Sequence, residues 1–272
     1  MNQHERHGAL LRLLAERGRL DVEAAAVEVA VSAATIRRDL DQLAEQQLLV
    51  RTRGGAVPND VAYDLPLRHR AGRDAAEKER IGRAAAAMVE RGMVVGLNGG
   101  TTTAAVARAL AARADWGDGE GDGARGDGAR GDGQPAVTVV TNALNIAAEL
   151  AVRRSVKVVV SGGVAMPSSY ELVGPLAGHI LREIRLDIAF VGADAVDAEH
   201  GASARDEHEA SINALLAAQA AKLVVVADST KLGVRTFARI CPPADIDVLV
   251  TDDRAADRAR EFEEQGMSVV RA

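Results

Sequence analysis

Asn98-Gly99-Gly100-Thr101-Thr102-Thr103 follows an apolar run at 93–97 and opens a helical pattern. Glycines let backbone N–H groups approach an anion, and a helix N-terminus favours negative charge. Thr101, Thr102 and Thr103 add hydroxyl donors. The order strand, glycine turn, hydroxyl cluster, helix start suits a phosphate or carboxylate. No Gly-Lys-Ser/Thr follows and the dinucleotide glycine spacing is absent, so neither nucleotide fingerprint applies. The plainer alternative is a glycine turn with threonine caps. Further apolar runs end in similar groups. Val140 leads into Thr141-Asn142, Val160 into Ser161-Gly162-Gly163, Val191 into Gly192-Ala193-Asp194, and Ala227 into Asp228-Ser229-Thr230-Lys231. In an open parallel sheet, ligands bind at such strand ends. Lys231 is one of only four lysines; it would pair with a ligand phosphate or with a nearby carboxylate.

A second cluster, Ser32-Ala33-Ala34-Thr35-Ile36-Arg37-Arg38-Asp39-Leu40, opens another helical pattern. Adjacent Arg37 and Arg38 point roughly 100° apart around a helix. One can read a guanine edge while the other takes a phosphate. Ser32 and Thr35 would sit near phosphates or base edges. Arg51 and Arg53 flank a hairpin tip and could reach phosphates or a minor groove. A generic helical bundle with solvated arginines is the alternative.

The elements that must position these residues follow from periodicity. Helices are expected over 4–17, 22–29 (capped by Asp21) and 33–46 (capped by Ser32), then a hairpin over 48–57 turning at Gly54-Gly55. This is the outline of a winged helix-turn-helix in 1–57. A polar linker with Pro58 and Pro66 spans 58–74. From 75 to 272, a helix over 75–90 precedes strands expected at 93–97, 137–140, 156–160, 188–191, 223–227 and 248–250. Helices at 102–113, 144–152, 175–184, 204–220 and 255–265 separate most of them. The fold class is α/β, a winged helix-turn-helix followed by a mostly parallel sheet.

The formal charge of the 272 residues is −6, which argues against nucleic acid until it is located. Residues 1–57 carry eight arginines and eight carboxylates, a net of zero. Residues 115–134, with the repeat GDGARGDGARGDG, carry −4 and eight of the 26 glycines. That stretch is expected to be a disordered insert; its period of about five lacks the apolar residue of the nine-residue calcium-binding repeat. Two Tyr, three Phe and one Trp are too few for aromatic stacking platforms for single-stranded nucleic acid. The single cysteine, Cys241, excludes an internal disulfide framework and a four-cysteine zinc site. It fits a reducing compartment. No apolar run approaches the ~18 residues of a membrane helix, and MNQHERHGAL has no signal-peptide core. The expected location is cytoplasmic.

Val31-Ser32-x-x-Thr35-Ile36-Arg37-Arg38-Asp39-Leu40, followed by Arg51-Thr52-Arg53-Gly54-Gly55-Ala56, resembles the DeoR family of bacterial transcription regulators. There the helix reads VSxxTIRRDL and the wing ends in HGGA; Arg53 replaces the usual His, and both can contact phosphate. The sensor clusters also resemble the family over most of 75–252, a domain similar to the ribose-5-phosphate isomerase fold. The family's D-x-GTT loop corresponds to Asn98-Gly99-Gly100-Thr101-Thr102, and its TN, GG and GADG-like turns to Thr141-Asn142, Gly162-Gly163 and Gly192-Ala193-Asp194-Ala195. Its remaining segments correspond to Gly201-Ala202-Ser203 with Glu209-Ala210, and to residues 228–231. Asn98 in place of Asp, and the glycine-rich insert, are departures.

The resemblance implies a regulator, a repressor of carbohydrate catabolism or transport genes. It implies double-stranded operator DNA and a phosphorylated sugar as partners, and a homo-oligomer (dimer or tetramer). The effector would meet Asn98, Gly100, Thr101, Thr102, Thr103, Thr141, Asn142, Gly162, Gly163, Asp194, Ser203, Glu209 and Lys231. The rival is a sugar-phosphate isomerase using Asp194 or Glu209 with Lys231. A helix-turn-helix is superfluous for an isomerase, so no catalytic residue and no cofactor are assigned. His179, His200 and His208 are scattered, so no metal site is expected.

Overall fold

Ile36, Leu40 and Leu43 recur at spacings of four and three, and a helix puts them on one face. In the computed structural model all three are fully buried, on α3 (Ala33–Glu45). The structure describes residues 3–17, 19–45, 49–57, 74–113, 116 and 135–272. It divides into two units, Met1–Arg73 and Asp74–Ala272. All of the expected linker but Asp74 lies outside the described residues, as do 115 and 117–134 of the expected insert.

In the first unit, α1 (Gln3–Arg17), β1 (Leu20–Asp21), α2 (Val22–Glu28) and α3 precede β2 (Val50–Thr52) and β3 (Gly55–Val57). Leu10 and Leu14 of α1 and Val22, Ala25 and Ala26 of α2 close an aliphatic core over α3. Asp21 Oδ1 caps α2, accepting from the Glu23 and Ala24 N–H groups at 2.9 and 3.1 Å. Asp39 of α3 is buried and accepts from Arg6 and His7 of α1, at 2.9 Å from Arg6 Nη2 and 3.1 Å from His7 Nε2.

The wing differs from its expected form. Its turn is Arg53-Gly54, with Gly54 at φ +84° as the third position of a type II turn requires. Gly55 is instead a strand residue. The short β1 pairs with β3 in the order β1-β3-β2, a partner that no local pattern announces. A Cβ on Gly55 would lie 1.9 Å from Leu20 O, so only glycine admits that strand.

The second unit alternates strands and helices: α4 (Ala75–Ala86), β4 (Val94–Leu97), α5 (Thr101–Ala111), β5 (Val137–Thr141), α6 (Leu144–Leu150) and β6 (Val156–Val160). Then come β7 (Val164–Ala165), β8 (Leu172–Val173), α7 (Pro175–Arg182), β9 (Ile188–Gly192), β10 (Ala195–Asp197), β11 (Gly201–Ala204) and α8 (Glu207–Ala218). Last are β12 (Leu223–Val226), β13 (Ala238–Cys241), β14 (Val248–Thr251), α9 (Ala256–Glu264) and β15 (Ser268–Arg271).

Seven strands form a parallel sheet in the order β15-β14-β12-β9-β4-β5-β6. Both faces are covered, which explains the continuous apolar strands. Ile188, Phe190, Val224 and Val226 meet α4, α5 and α6. Ala189, Val191, Leu223 and Val225 meet α7, α8 and α9. From β4 the chain winds outward through β5 and β6, then returns to place β9 on β4's other side. The strand order therefore reverses between β4 and β9.

Three sequence expectations are corrected. The helix expected over 204–220 starts only at Glu207, because Asp206 caps it and β11 claims Gly201–Ala204 between β10 and β13. The strands β7, β8, β10, β11, β13 and β15 were not anticipated, being short or weakly apolar. Trp116 belongs to the folded core rather than to the insert: it is buried, with the Arg113 guanidinium 4.5 Å above its ring.

Burial raises the Asp39 carboxyl, and the hydrogen bonds from Arg6 and His7 outweigh that effect and hold it below its ordinary value. Its contribution is thus present above the ordinary carboxylate range and lost as pH falls through the lowered value. Asp39→Asn is expected to lower the stability of the first unit by about 2 kcal/mol near pH 7. It should also flatten the acid limb of the stability profile. Denaturant unfolding followed at several pH values checks both.

Candidate functional site

In the first unit, α3 presents its N-terminal turn. Ser32 Oγ accepts from the Thr35 N–H at 3.1 Å and lies 2.8 Å from Thr35 Oγ1. These hydroxyls order the turn while Ser32 stays exposed. Arg37 and Arg38 are both exposed, opposite the buried Ile36-Leu40-Leu43 face. Arg37 Nη2 donates to Glu23 Oε1 of α2 at 2.9 Å. An exposed pair of this kind is worth at most about 1 kcal/mol, so a phosphate or base can replace it. Arg38, and Arg53 at the wing tip, make no hydrogen bond or ion pair among the described residues. Arg51 does not flank the tip freely: its Nε donates to Asp41 at 2.7 Å and its Nη1 to Gly55 O at 2.6 Å. That guanidinium braces the wing against α3.

In the second unit, the loop after β4 lies at the reversal of strand order, where open α/β sheets hold ligands. Asn98 is buried and bridges the ends of two strands. Its Nδ2 donates to Gly192 O at 3.0 Å and its Oδ1 accepts from the Gly192 N–H at 2.8 Å. The side chain expected to face the effector is thus spent on the backbone of β9. An Asp here could accept but not donate. Gly100, at φ +130°, precedes α5 without any side-chain cap. The first N–H groups of that helix have no partner within it. Thr103 Oγ1 donates to Gly100 O at 3.2 Å and is fully buried; Thr102 is buried too, and Thr101 is half-buried.

Thr141 Oγ1 accepts from the Ala143 N–H at 3.0 Å. Asn142, at the end of β5, meets two buried residues that sequence reasoning missed, Glu171 and Asn213. Asn142 Nδ2 lies 3.4 Å from Glu171 Oε2 and 3.4 Å from Asn213 Oδ1, and Asn213 Nδ2 lies 3.2 Å from Glu171 Oε2. A Cβ on Gly99 would come within 2.4 Å of Glu171 Cγ, so the carboxyl side chain lies directly under the glycine loop. Burial pushes the Glu171 carboxyl up to about 8 and the nearby Glu209 adds to the rise, while hydrogen bonds from Asn213, Gly99 and Asn142 oppose it. The available signals were faint: a carboxylate between apolar neighbours at 170–173, and an asparagine on the buried side of α8.

Residues 228–231 follow β12, the neighbour of β9. Asp228 is buried; its Oδ1 accepts from the Thr230 N–H at 3.2 Å and its Oδ2 lies 3.9 Å from Nζ of the buried Lys78 of α4. Lys231 occupies the same turn. Asp252 accepts from the Ser229 N–H at 2.7 Å and from Arg254 Nε at 3.1 Å, and Arg254 Nη2 reaches Asp74 at 2.9 Å. The start of α4 is therefore tied to this turn.

Other expected site residues serve the scaffold in this structure. Gly163, at φ +121°, admits the close approach of Val173 O, and Gly162 turns the chain at φ +71°. Asp194 Oδ2 accepts from the Arg205 N–H at 3.1 Å, and Ser203 Oγ accepts from Thr236 N and Oγ1 at 3.1 and 2.8 Å. Two surface groups, Asp197-Glu199-His200 and Asp206-Glu207-His208, each with a half-buried aspartate, bring possible metal ligands together. Arg235 already pairs with the carboxylates of the first, and Asp206 of the second caps α8.

Removing the Asn98 amide would leave the half-buried N–H and C=O of Gly192 without this partner and open a void at a buried position. Asn98→Ala is expected to cost about 2–3 kcal/mol, read as an earlier unfolding transition of the second unit in denaturant.

The DeoR-like helix-turn-helix domain profile matches residues 6–61, and the DeoR C terminal sensor domain profile matches 73–116 and 132–253. The chain is 32% identical over 268 residues to the HTH-type transcriptional regulator GlpR of Haloferax volcanii, covering 98% of this chain and 96% of that one. It is 27% identical over 252 residues to the glycerol-3-phosphate regulon repressor of Escherichia coli K12, covering 93% and 92%. Among solved structures it matches ribose 5-phosphate isomerase A of Methanocaldococcus jannaschii, with a TM-score of 0.38, 22% identity, and coverage of 58% and 55%. With most of each unit matched, the chain belongs to the DeoR family of helix-turn-helix transcriptional regulators.

Proposed function

We propose that this protein is a repressor that leaves its operator when a phosphorylated sugar or polyol binds the second unit. The observation that carries the reading is the uncapped N-terminus of α5 behind Gly99-Gly100, set at the strand-order reversal of a chain that also holds a helix-turn-helix. The α5 N–H groups and Thr101 would take the phosphate, with Lys231 as counter-charge.

α3 enters the major groove, with Ser32, Thr35, Arg37 and Arg38 at base edges and phosphates and Arg53 on a flanking phosphate. A neutral reader has a modest non-specific electrostatic term. Specific contacts, and the pairing of half-sites in a dimer or tetramer, then carry more of the affinity. For release, the ligand must favour the DNA-incompetent state. Lys78–Asp228 and Asp74–Arg254–Asp252 offer a path from the ligand's turn to α4, the first helix of this unit.

An isomerase would need no reader. Turnover of pentose phosphates that disappears in Asp194→Ala would overturn the proposal.

Arg38→Ala is expected to weaken operator binding by about 1–3 kcal/mol while leaving effector affinity unchanged. Arg53→Ala should lower the salt slope by about one, and Arg51→Ala should move it less. Electrophoretic mobility shifts across a salt series measure all of these effects. Thr101→Ala combined with Lys231→Ala should abolish release by sugar phosphates with operator affinity retained. A double variant that still releases DNA normally would place the site elsewhere.

A further inference from the structure

We propose that Glu171, held by Asn142 and Asn213, reads the uncharged end of the effector and admits it only while the carboxyl is neutral. The inference rests on the phosphate-sensing reading above and names the group beside the phosphate that the sensor recognises: a hydroxyl of a sugar or polyol.

Geometry carries it first. Glu171 packs against Gly99, one residue before the Gly100 that opens α5. Its carboxyl therefore borders the place where the phosphate would sit. It is 3% exposed, and Asn142 and Asn213 are 0% and 3% exposed. Asn213 sits 3.2 Å from Glu171 Oε2, so the carboxyl is oriented rather than free to swing. Asn142 Oδ1 is buried and has no hydrogen-bond partner among the described residues. A buried acceptor in that state lacks a donor. A ligand hydroxyl supplies one, and the same hydroxyl can accept from a protonated carboxyl.

Charge carries it further. The groups acting on Glu171 are Asn142 beyond β5, Asn213 and Glu209 of α8, and the Gly99 backbone; of these Glu209 is charged, and its sign opposes ionisation. A carboxylate beside a phosphate dianion would repel it, whereas a neutral carboxyl does not. The residue is thus a polar group that tolerates the anion next to it near pH 7. The second ionisation of a phosphate ester lies near pH 6 and is about nine-tenths complete at pH 7, so the part of the slope from pH 7 to 9 that Glu171→Gln removes reports Glu171.

The test is isothermal titration of the full chain at pH 7, 8 and 9. The probes are inorganic phosphate, glycerol 3-phosphate, fructose 1-phosphate, glucose 6-phosphate and ribose 5-phosphate. For the tightest organic phosphate, wild-type affinity is expected to fall about tenfold from pH 7 to 9, as a group titrating near 8 ionises. Glu171→Gln, which keeps the shape and cannot ionise, should bind within a few-fold of wild type at pH 7 and show a flat profile. Glu171→Leu should lose the preference for that compound over inorganic phosphate. A flat wild-type profile overturns the proposal, as does an equal slope in wild type and Glu171→Gln; either result leaves phosphate sensing intact. If no probe, inorganic phosphate included, binds the wild-type chain, the sensing reading fails and the proposal falls with it.

Discussion

One side-chain amide, Asn98, joins β4 to β9 where the sheet changes winding direction. At such a point the chain leaves neighbouring strands in opposite directions, and a crevice opens between their ends. Nothing in the parallel ladder holds those ends together once the strands stop. Asn98 does so by satisfying both hydrogen-bonding groups of Gly192, and a serine, alanine or carboxylate could not do the same. The rest of the site hangs on this joint. The Gly99-Gly100 turn follows it directly, α5 starts from that turn, and Glu171 lies beneath it.

The two units solve different problems with the same economy of charge. The first has no excess of positive charge, so its arginines are sorted by neighbouring carboxylates. Asp39 takes Arg6, Glu28 takes Arg17, Asp41 takes Arg51 and Glu23 takes Arg37, leaving Arg19, Arg38 and Arg53 without protein partners among the described residues. In the second unit the sorting concerns burial. Lys78 and Asp228 are buried as a pair, while Glu171 is buried among amides and pushed toward its neutral form. The first arrangement leaves exposed guanidinium groups on offer. The second sets a cluster of amides and a carboxyl pushed toward its neutral form beneath the glycine loop, with Glu209 as the nearby negative group.

Much of the fold was legible because its signals are local. The 4-3 spacing of Ile36, Leu40 and Leu43 marks α3, and apolar runs mark six of the seven strands of the sheet. Asp21 and Ser32 marked helix starts. The short strands were not legible: β1 is two residues long, and β11 is Gly-Ala-Ser-Ala. Such segments become strands only when a partner backbone arrives. Of the site, the glycine-threonine loop and the polar strand ends could be read as a ligand-binding pattern. Glu171 and Asn213 could not, since a single buried polar residue has no period to betray it.

Residue order by itself determined the winged helix-turn-helix outline, the alternation that demands a parallel sheet, the neutral first unit and the glycine-threonine loop. Each depends on spacing or composition over a few neighbours, which the chain carries whatever its path. The tertiary structure decided which polar groups are spent and which are on offer. It assigned Asn98 to Gly192, Arg51 to Asp41 and Ser203 to Thr236, and it set Glu171 under Gly99. Those pairings join residues between ten and 94 positions apart. Whether a side chain is satisfied by the fold or left for a ligand depends on which distant backbone comes within about 3 Å.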